Sequence, residues 1–310
     1  MPELPDVTVY VERLVALVGG AVLEKVRLKS PFLLRSVQPP LSAVFGRRVE
    51  RFERMGKRIV FALEGDLYLV LHLMIAGRLH WKPPGAAIGG RTSLAAFDFA
   101  TGTLQLTEAS SRKRASLYVA QGKAELALHD RGGLEPLDCT YAAFKARLQQ
   151  ENRTLKRALT SPHLFSGIGN AYSDEILHAA GLSPVTLTSR LTPAMIRKLH
   201  RATQSTLRRW TDALREESKD SFPEKVTAFR PDMAVHGRYL KPCPTCGTAV
   251  QRIRYAENEV NYCPRCQTEG RMLADRSLSR LLGGDWPKTV DDWEEEHPVR
   301  DASKPTTDSG

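Results

Sequence analysis

Four of the five cysteines fall into two pairs, Cys243-Pro244-Thr245-Cys246 and Cys263-Pro264-Arg265-Cys266, with sixteen residues between them. Each pair can sit on a tight turn and offer two thiolates to one tetrahedral metal, and two such turns joined by a hairpin of this length make a zinc ribbon. The spacing therefore predicts one structural zinc held by Cys243, Cys246, Cys263 and Cys266. A catalytic zinc is disfavoured, because four protein ligands leave no position for substrate. Arg252 and Arg254 lie between the pairs and Arg265 lies inside the second knuckle, a way of presenting cations to a nucleic-acid groove. The plainer alternative is a staple without such contacts. Cys139 stands alone and reads as a buried or neutral thiol.

At 310 residues the chain is long enough for about two domains with real cores. No apolar run approaches the ~18–20 residues of a membrane-spanning helix. The amino terminus lacks the basic and apolar regions of a signal peptide, so a cytoplasmic, nucleoid-associated location is expected, and with it no disulfide framework. Net charge is +10, but residues 291–310 carry seven acids and two bases, leaving the body at +15. That body favours a polyanionic partner.

Periodicity divides the body. Asp6 is expected to cap a helix with Val7, Val11, Leu14 and Val18 on its apolar face, stopped by Gly19-Gly20. Strands are expected at residues 22–29, 48–54, 57–63, 66–73 and 116–120, with a hairpin at 95–99 and 103–106; the alternation Leu67, Leu69, Leu71, Leu73 is the clearest. Many short strands with frequent turns indicate an antiparallel sandwich or barrel. After Arg131-Gly132-Gly133 helical periods take over, at residues 140–150 and 174–180 and then in a long helix. The long one has Thr192 as cap, Pro193 in its first turn, and Ile196, Leu199, Thr203, Leu207, Trp210 and Leu214 on one face. Leu273, Leu278, Leu281 and Leu282 suggest a short helix beyond the ribbon, and the acidic stretch after about 290 is expected to be disordered.

Chemistry concentrates at the start, Met1-Pro2-Glu3-Leu4-Pro5-Asp6. Removal of Met1 would leave Pro2 as the amino terminus. An α-amino group has a pKa of roughly 7.7–8 against ~10.4 for lysine, so far more of it is free base at neutral pH. A secondary amine that attacks an aldehyde or a sugar C1′ gives an iminium with no N–H to lose. Pro2 thus reads as a Schiff-base nucleophile and Glu3 as its proton carrier. Further along, Ser166-Gly167-Ile168-Gly169-Asn170 precedes a helix, and such glycines can let backbone N–H groups approach a phosphate.

Together, the Pro2-Glu3-Leu4-Pro5 start, Lys57 at the head of a strand, His72-Leu73 with Gly77, the stretch from Gly167 to Glu175, Gly237-Arg238 and the cysteine quartet resemble the formamidopyrimidine-DNA glycosylase / endonuclease VIII family, in order from residue 2 to about 267. The resemblance implies an α+β fold: an amino-terminal antiparallel β-sandwich with flanking helices (residues 1–136), a helix–two-turn–helix module (137–238), a zinc finger (239–267) and a carboxy-terminal extension (268–310). It implies base-excision repair of damaged DNA by a monomer. Pro2 would attack C1′, Glu3 would move protons, and the strand would be cut by elimination, making the enzyme an N-glycosylase with apurinic/apyrimidinic lyase activity. Lys57 and His72 would hold phosphates, Asn170 would hold those flanking the lesion, and Glu175 would shape the damage pocket.

The sequence departs from that pattern at three places. Asn258 stands where the family carries a phosphate-gripping arginine, and an amide replaces neither the charge nor the fork of a guanidinium. Ile75 stands at a void-filling methionine position. The loop Arg112-Lys113-Arg114 aligns with the family's Arg-Phe loop but holds no aromatic residue. Poor extrusion from an intact pair follows, hence an expected preference for single-stranded, bubble or abasic DNA. Two alternatives stand beside this: a DNA-binding protein of the same fold with weakened catalysis, and a lyase acting mainly on abasic sites or crosslinks.

Overall fold

The computed structural model describes residues 1–224, 226, 230–255, 258–273 and 287–296. Helix α1 (Leu4–Val18) is followed by β1 (Val22–Leu23), β2 (Lys25–Leu28), β3 (Arg47–Met55), β4 (Arg58–Leu63), β5 (Leu67–His72), β6 (Gly77–Lys82), β7 (Ser93–Phe99), β8 (Gly102–Glu108) and β9 (Ser116–Gln121). The strands form a five-stranded sheet, β1-β3-β4-β5-β9, and a four-stranded sheet, β2-β7-β8-β6, with antiparallel pairing throughout. Their inner faces meet in one core: Ile59, Phe61, Leu69, Leu71 and Leu117 from the first sheet, Val26, Phe97, Leu104 and Leu106 from the second. The arrangement is a sandwich.

The Leu67–Leu73 alternation is real, yet Tyr68 and Val70 between those leucines are buried as well. β5 is an inner strand, and its outer face is covered through Leu126 of α2 (Gly122–Ala127). Helix α1 also differs from expectation. It starts earlier, with Glu3 as N-cap, and Asp6 sits a turn inside, where its Oδ2 accepts the Glu3 N–H at 2.7 Å. Its buried stripe is Val7, Tyr10, Leu14 and Val18; Val11 is only partly buried, because the i, i+3, i+7 row turns Tyr10 inward.

The second half holds α3 (Tyr141–Leu148), α4 (Leu155–Thr160), α5 (Asn170–Ala180) and α6 (Pro193–Glu217). The Thr192 cap holds as expected, with Thr192 Oγ1 accepting the Met195 N–H at 3.3 Å. These helices enclose their own core around Phe144, Phe165, Tyr172, Ile176, Leu199 and Trp210, and Leu4 from the amino terminus is buried in it. The ribbon hairpin β10 (Gln251–Tyr255) and β11 (Asn258–Tyr262) leads into α7 (Pro264–Thr268).

An acidic helix, α8 (Val290–Glu296), exists where disorder is expected after about 290. Val290 anchors it: the side chain is buried and its N–H donates to Gly270 O at 2.7 Å. Leu278, Leu281 and Leu282 of the expected preceding helix lie outside the described residues.

Candidate active site and zinc ribbon

The amino terminus, the turn before β4 and the start of α5 converge. Leu4 N–H donates to Gly167 O at 2.9 Å, which lays the first residues along the glycine segment. The Glu3 side chain then reaches the end of α5. Its carboxylate accepts N–H bonds from Gly169 (2.6 Å), Ala171 (2.9 Å) and Tyr172 (3.3 Å). A helix amino terminus with unpaired N–H groups favours an anion; here the anion is Glu3. This corrects the expectation that the glycine segment offers those N–H groups to a phosphate. A Cβ on Gly169 would lie 2.5 Å from the Glu3 carboxyl carbon and 2.6 Å from Lys57 Nζ. Glycine is therefore required, and Glu3 and Lys57 face one another across it.

The site is largely enclosed by protein. Pro2 and Glu3 are buried and Lys57 is half-buried. Burial pushes the Met1 amine, one residue ahead of Pro2, below its ordinary value, against the opposing pull of Glu3 and Asp6 and helped by Arg78 and Lys57. Burial likewise lowers Lys57. Asp6 is driven up to about 7, first by burial. Two openings flank the terminus. A cavity of about 340 Å³ is lined by Met1, Lys57, Arg58, His72, Met74 and Gly167. A second, of about 610 Å³, is lined by Met1, Lys57, Lys156, Asn170, Ile253 and others.

His72 Nδ1 accepts the Met74 N–H at 3.1 Å, and burial, with Arg58 and Lys57 nearby, pushes the ring down to about 4. The imidazole is neutral at pH 7 and presents Nε2–H to the smaller cavity, as a hydrogen-bond donor rather than a cation. Asn170 is the first residue of α5; its amide donates to Glu259 O of β11 at 2.8 Å, joining helix module to ribbon. Glu175 does not line either cavity at the terminus. It is buried, and its carboxylate accepts N–H bonds from Ala234 (2.8 Å), Val235 (2.9 Å) and His236 (3.0 Å).

Ile75 lies on the turn between β5 and β6, half exposed. Arg112, Lys113 and Arg114 are exposed on the loop after β8, which the buried Glu108 holds by accepting the backbone N–H groups of Arg114 and Ala115. The three ribbon arginines have acidic partners: Arg252 and Arg254 share Glu259 at 3.3 and 3.6 Å, and Arg265 pairs with Asp291 and Glu294 of α8 at 2.5 and 3.4 Å. Arg252 also stacks on Tyr239 at 3.9 Å. The side chain of Asn258 lies outside the described residues.

Sequence reasoning missed a buried polar chain behind the site. Lys156 Nζ donates to Asn170 O at 2.6 Å and to Asp174 at 2.5 Å, and Asp174 meets His236 Nδ1 at 2.8 Å. Lys156 sits in the basic stretch Leu155-Lys156-Arg157, which looks like solvated surface; only Asp174, inside the glycine-led motif, carried a signal.

The four Sγ atoms lie within 4.8 Å of one another, at 3.9 Å for Cys243–Cys266, 3.4 Å for Cys246–Cys263 and 3.5 Å for Cys246–Cys266. A tetrahedral zinc with Zn–S bonds of ~2.3 Å has edges of about 3.8 Å, so the donor set fits that ion. His178 on α5 approaches from outside, with Nε2 3.2 Å from Cys243 Sγ.

Three family models match the chain. Residues 1–130 match the formamidopyrimidine-DNA glycosylase N-terminal domain, 133–220 its H2TH domain, and 241–268 the zinc finger found in FPG and IleRS. The formamidopyrimidine-DNA glycosylase of Thermus thermophilus is 34% identical over 283 residues, covering 87% of this chain and 100% of that protein. The crystal structure of the Thermus thermophilus MutM (Fpg) protein superposes with a TM-score of 0.72 at 32% identity, over 86% of this chain and 98% of that one. The Lactococcus lactis Fpg bound to abasic-site DNA shares the fold, with a TM-score of 0.76 at 23% identity, over 86% of this chain and 99% of that one.

Proposed function

Because the chain belongs to the formamidopyrimidine-DNA glycosylase family, we propose that it is a base-excision DNA repair enzyme that removes damaged bases through its amino-terminal proline and then cuts the strand. The observation that carries this reading is the convergence of a buried amino terminus, Glu3 and Lys57 at the start of α5, beside two openings large enough for a nucleotide.

With Met1 removed, the Pro2 amine is a secondary amine in a buried site, and burial favours its free-base form. Its lone pair attacks C1′, the C1′–N bond to the base breaks, and the base leaves with a proton. Opening of the sugar ring puts a proton on O4′ and leaves an iminium between Pro2 and C1′. The protons travel by way of Glu3. Loss of a C2′ proton expels the 3′ phosphate, and a second elimination expels the 5′ phosphate. Lys57 and the neutral Nε2–H of His72 hold phosphate oxygens. Asn170, Arg112, Lys113, Arg114, Arg252, Arg254 and Arg265 supply further backbone contacts, the ribbon arginines by exchanging an internal carboxylate for a phosphate. Glu175 supports the pocket by fixing residues 234–236. One zinc on the four thiolates would hold the two knuckles together.

The division at residues 136, 238 and 267 belongs to the same reading, supported by the bounds of the family matches and by the separate cores. So does action as a monomer on single-stranded, bubble or abasic DNA in the nucleoid, since Ile75 and an aromatic-free loop are a weak wedge against an intact pair.

Borohydride trapping on an abasic oligonucleotide tests the mechanism. The native protein should form a stable adduct. Protein with extra residues ahead of Pro2, whose nitrogen is then an amide, should bind DNA but neither trap nor cut. Normal trapping by that blocked protein would make a lysine the nucleophile. Failure of native protein to trap would favour the DNA-binding alternative.

A further inference from the structure

Phe32 is 77% exposed, and its position rather than its exposure alone sets it apart. Two backbone anchors fix that position. Upstream, the Lys29 and Ser30 N–H groups donate to Leu94 O at 2.9 and 3.2 Å. That is the end of the second sheet where Glu108 pairs with Gly77 and donates its N–H to Thr92 O. Downstream, Leu34 bridges Leu117 in parallel and the Arg35 N–H donates to Leu117 O at 2.9 Å, extending the first sheet beyond β9. In β9 the neighbouring Ser116 faces His72. The short turn Pro31–Leu33 thus crosses between the sheets at the end that carries both the Ile75 turn and the Arg112–Arg114 loop.

Ile75 and Phe32 consequently rise on opposite sides of that cationic loop. They are separated by two strand spacings in one sheet and three in the other, roughly 10–15 Å at ~4.8 Å per strand. This exceeds the ~6 Å width of the minor groove. With the target strand entering beside Ile75 and the amino terminus, a side chain so displaced meets the other strand. Phe32 presents an exposed ring, and Arg35, three residues on in the sequence, is exposed as well; an exposed ring suits stacking on a base of any sequence.

We propose that Phe32 stacks on an unpaired base of the strand opposite the target nucleotide, which makes a bubble a better ligand than a single strand. This rests on the DNA-repair reading above. The test compares binding of an abasic single strand with binding of the same strand in a bubble carrying 2-aminopurine opposite the site. The native protein should bind the bubble more tightly and quench the 2-aminopurine. Phe32→Ala should reduce the bubble-to-single-strand affinity ratio by about tenfold and abolish the quenching, from a stacking contribution of ~1–3 kcal/mol per base; Phe32→Trp should restore both. Val37→Ala, at an equally exposed apolar site on the far side of Leu34, should change neither. An unchanged ratio in Phe32→Ala, or equal losses on both ligands, overturns the proposal. Borohydride trapping on the single strand judges the parent reading separately, since it needs no opposite strand.

Discussion

Glu3→Gln is the usual way to silence a catalytic acid while keeping its shape, and here it should also unsettle the fold. The Glu3 carboxylate is 2% exposed and takes three backbone N–H groups, Gly169 and Tyr172 on Oε2 and Ala171 on Oε1. Glutamine has a single acceptor oxygen. Placed toward Gly169 and Tyr172, it turns its NH2 against the Ala171 N–H, leaving two donors opposed in a buried site. The loss comprises one hydrogen bond to a charged group, ~1.5–3 kcal/mol, and the attraction of a buried charge for the α5 dipole, ~0.3–2 kcal/mol. A destabilisation of about 2–5 kcal/mol is expected. Urea unfolding at pH 7, followed by Trp fluorescence and by far-UV circular dichroism, measures it as a lower midpoint at unchanged slope. Glu3→Gln protein as stable as native would refute the argument that Glu3 caps α5. Activity comparisons with this variant belong well below its melting temperature, where it should fail more severely at base removal than at cutting a ready-made abasic site.

Gly169→Ala should abolish trapping while leaving metal content intact, because its methyl displaces both Glu3 and Lys57; near-native trapping would contradict the crowding. Asp6 holds its proton to about 7 in the folded protein but to only 3.8 when unfolded. Native stability should therefore fall as pH rises through that window, by ~4 kcal/mol in total; Asp6→Asn should flatten the fall, as read from urea midpoints between pH 4 and 8. His178→Phe removes the outer contact to Cys243, and zinc affinity measured by chelator competition should drop about 10–100-fold. Native protein should contain one zinc per chain. Ending the chain after Thr289 removes the acids paired with Arg265, which should tighten DNA binding and steepen the log–log salt slope by about 0.9; an unchanged slope would mean that Arg265 does not reach phosphate.

Whatever rests on covalent identity was legible in the sequence. The cysteine spacing implies a ribbon, the Pro-Glu start implies an amine and a carboxylate, and the strand and helix periods separate the two cores. What remained hidden depends on distant partners. Asp6 looks like a helix cap, because nothing local reveals that Glu3 takes that position and sends its side chain to α5. Gly169 looks like a phosphate turn, because the carboxylate that fills the space arrives from 166 residues away. Lys156 looks like surface until Asp174 and Asn170 close over it. The acids after 290 read as unstructured for want of knowing that Val290 has a place to bury and Arg265 a charge to answer.

The Glu3–α5 junction also bears on motion. Enzymes that swallow part of a large ligand generally open and close between rigid halves. In this protein the sandwich and the helix module are joined at Glu3, the proposed proton carrier, and Leu4 is buried in the far core. Any hinge that parts the halves enough to strip Glu3 from the Gly169, Ala171 and Tyr172 amides would disassemble the active centre in the same stroke. On the proposed mechanism, closure and catalytic readiness would be one event: an open form would be an idle form, and DNA that holds the halves together would switch the chemistry on.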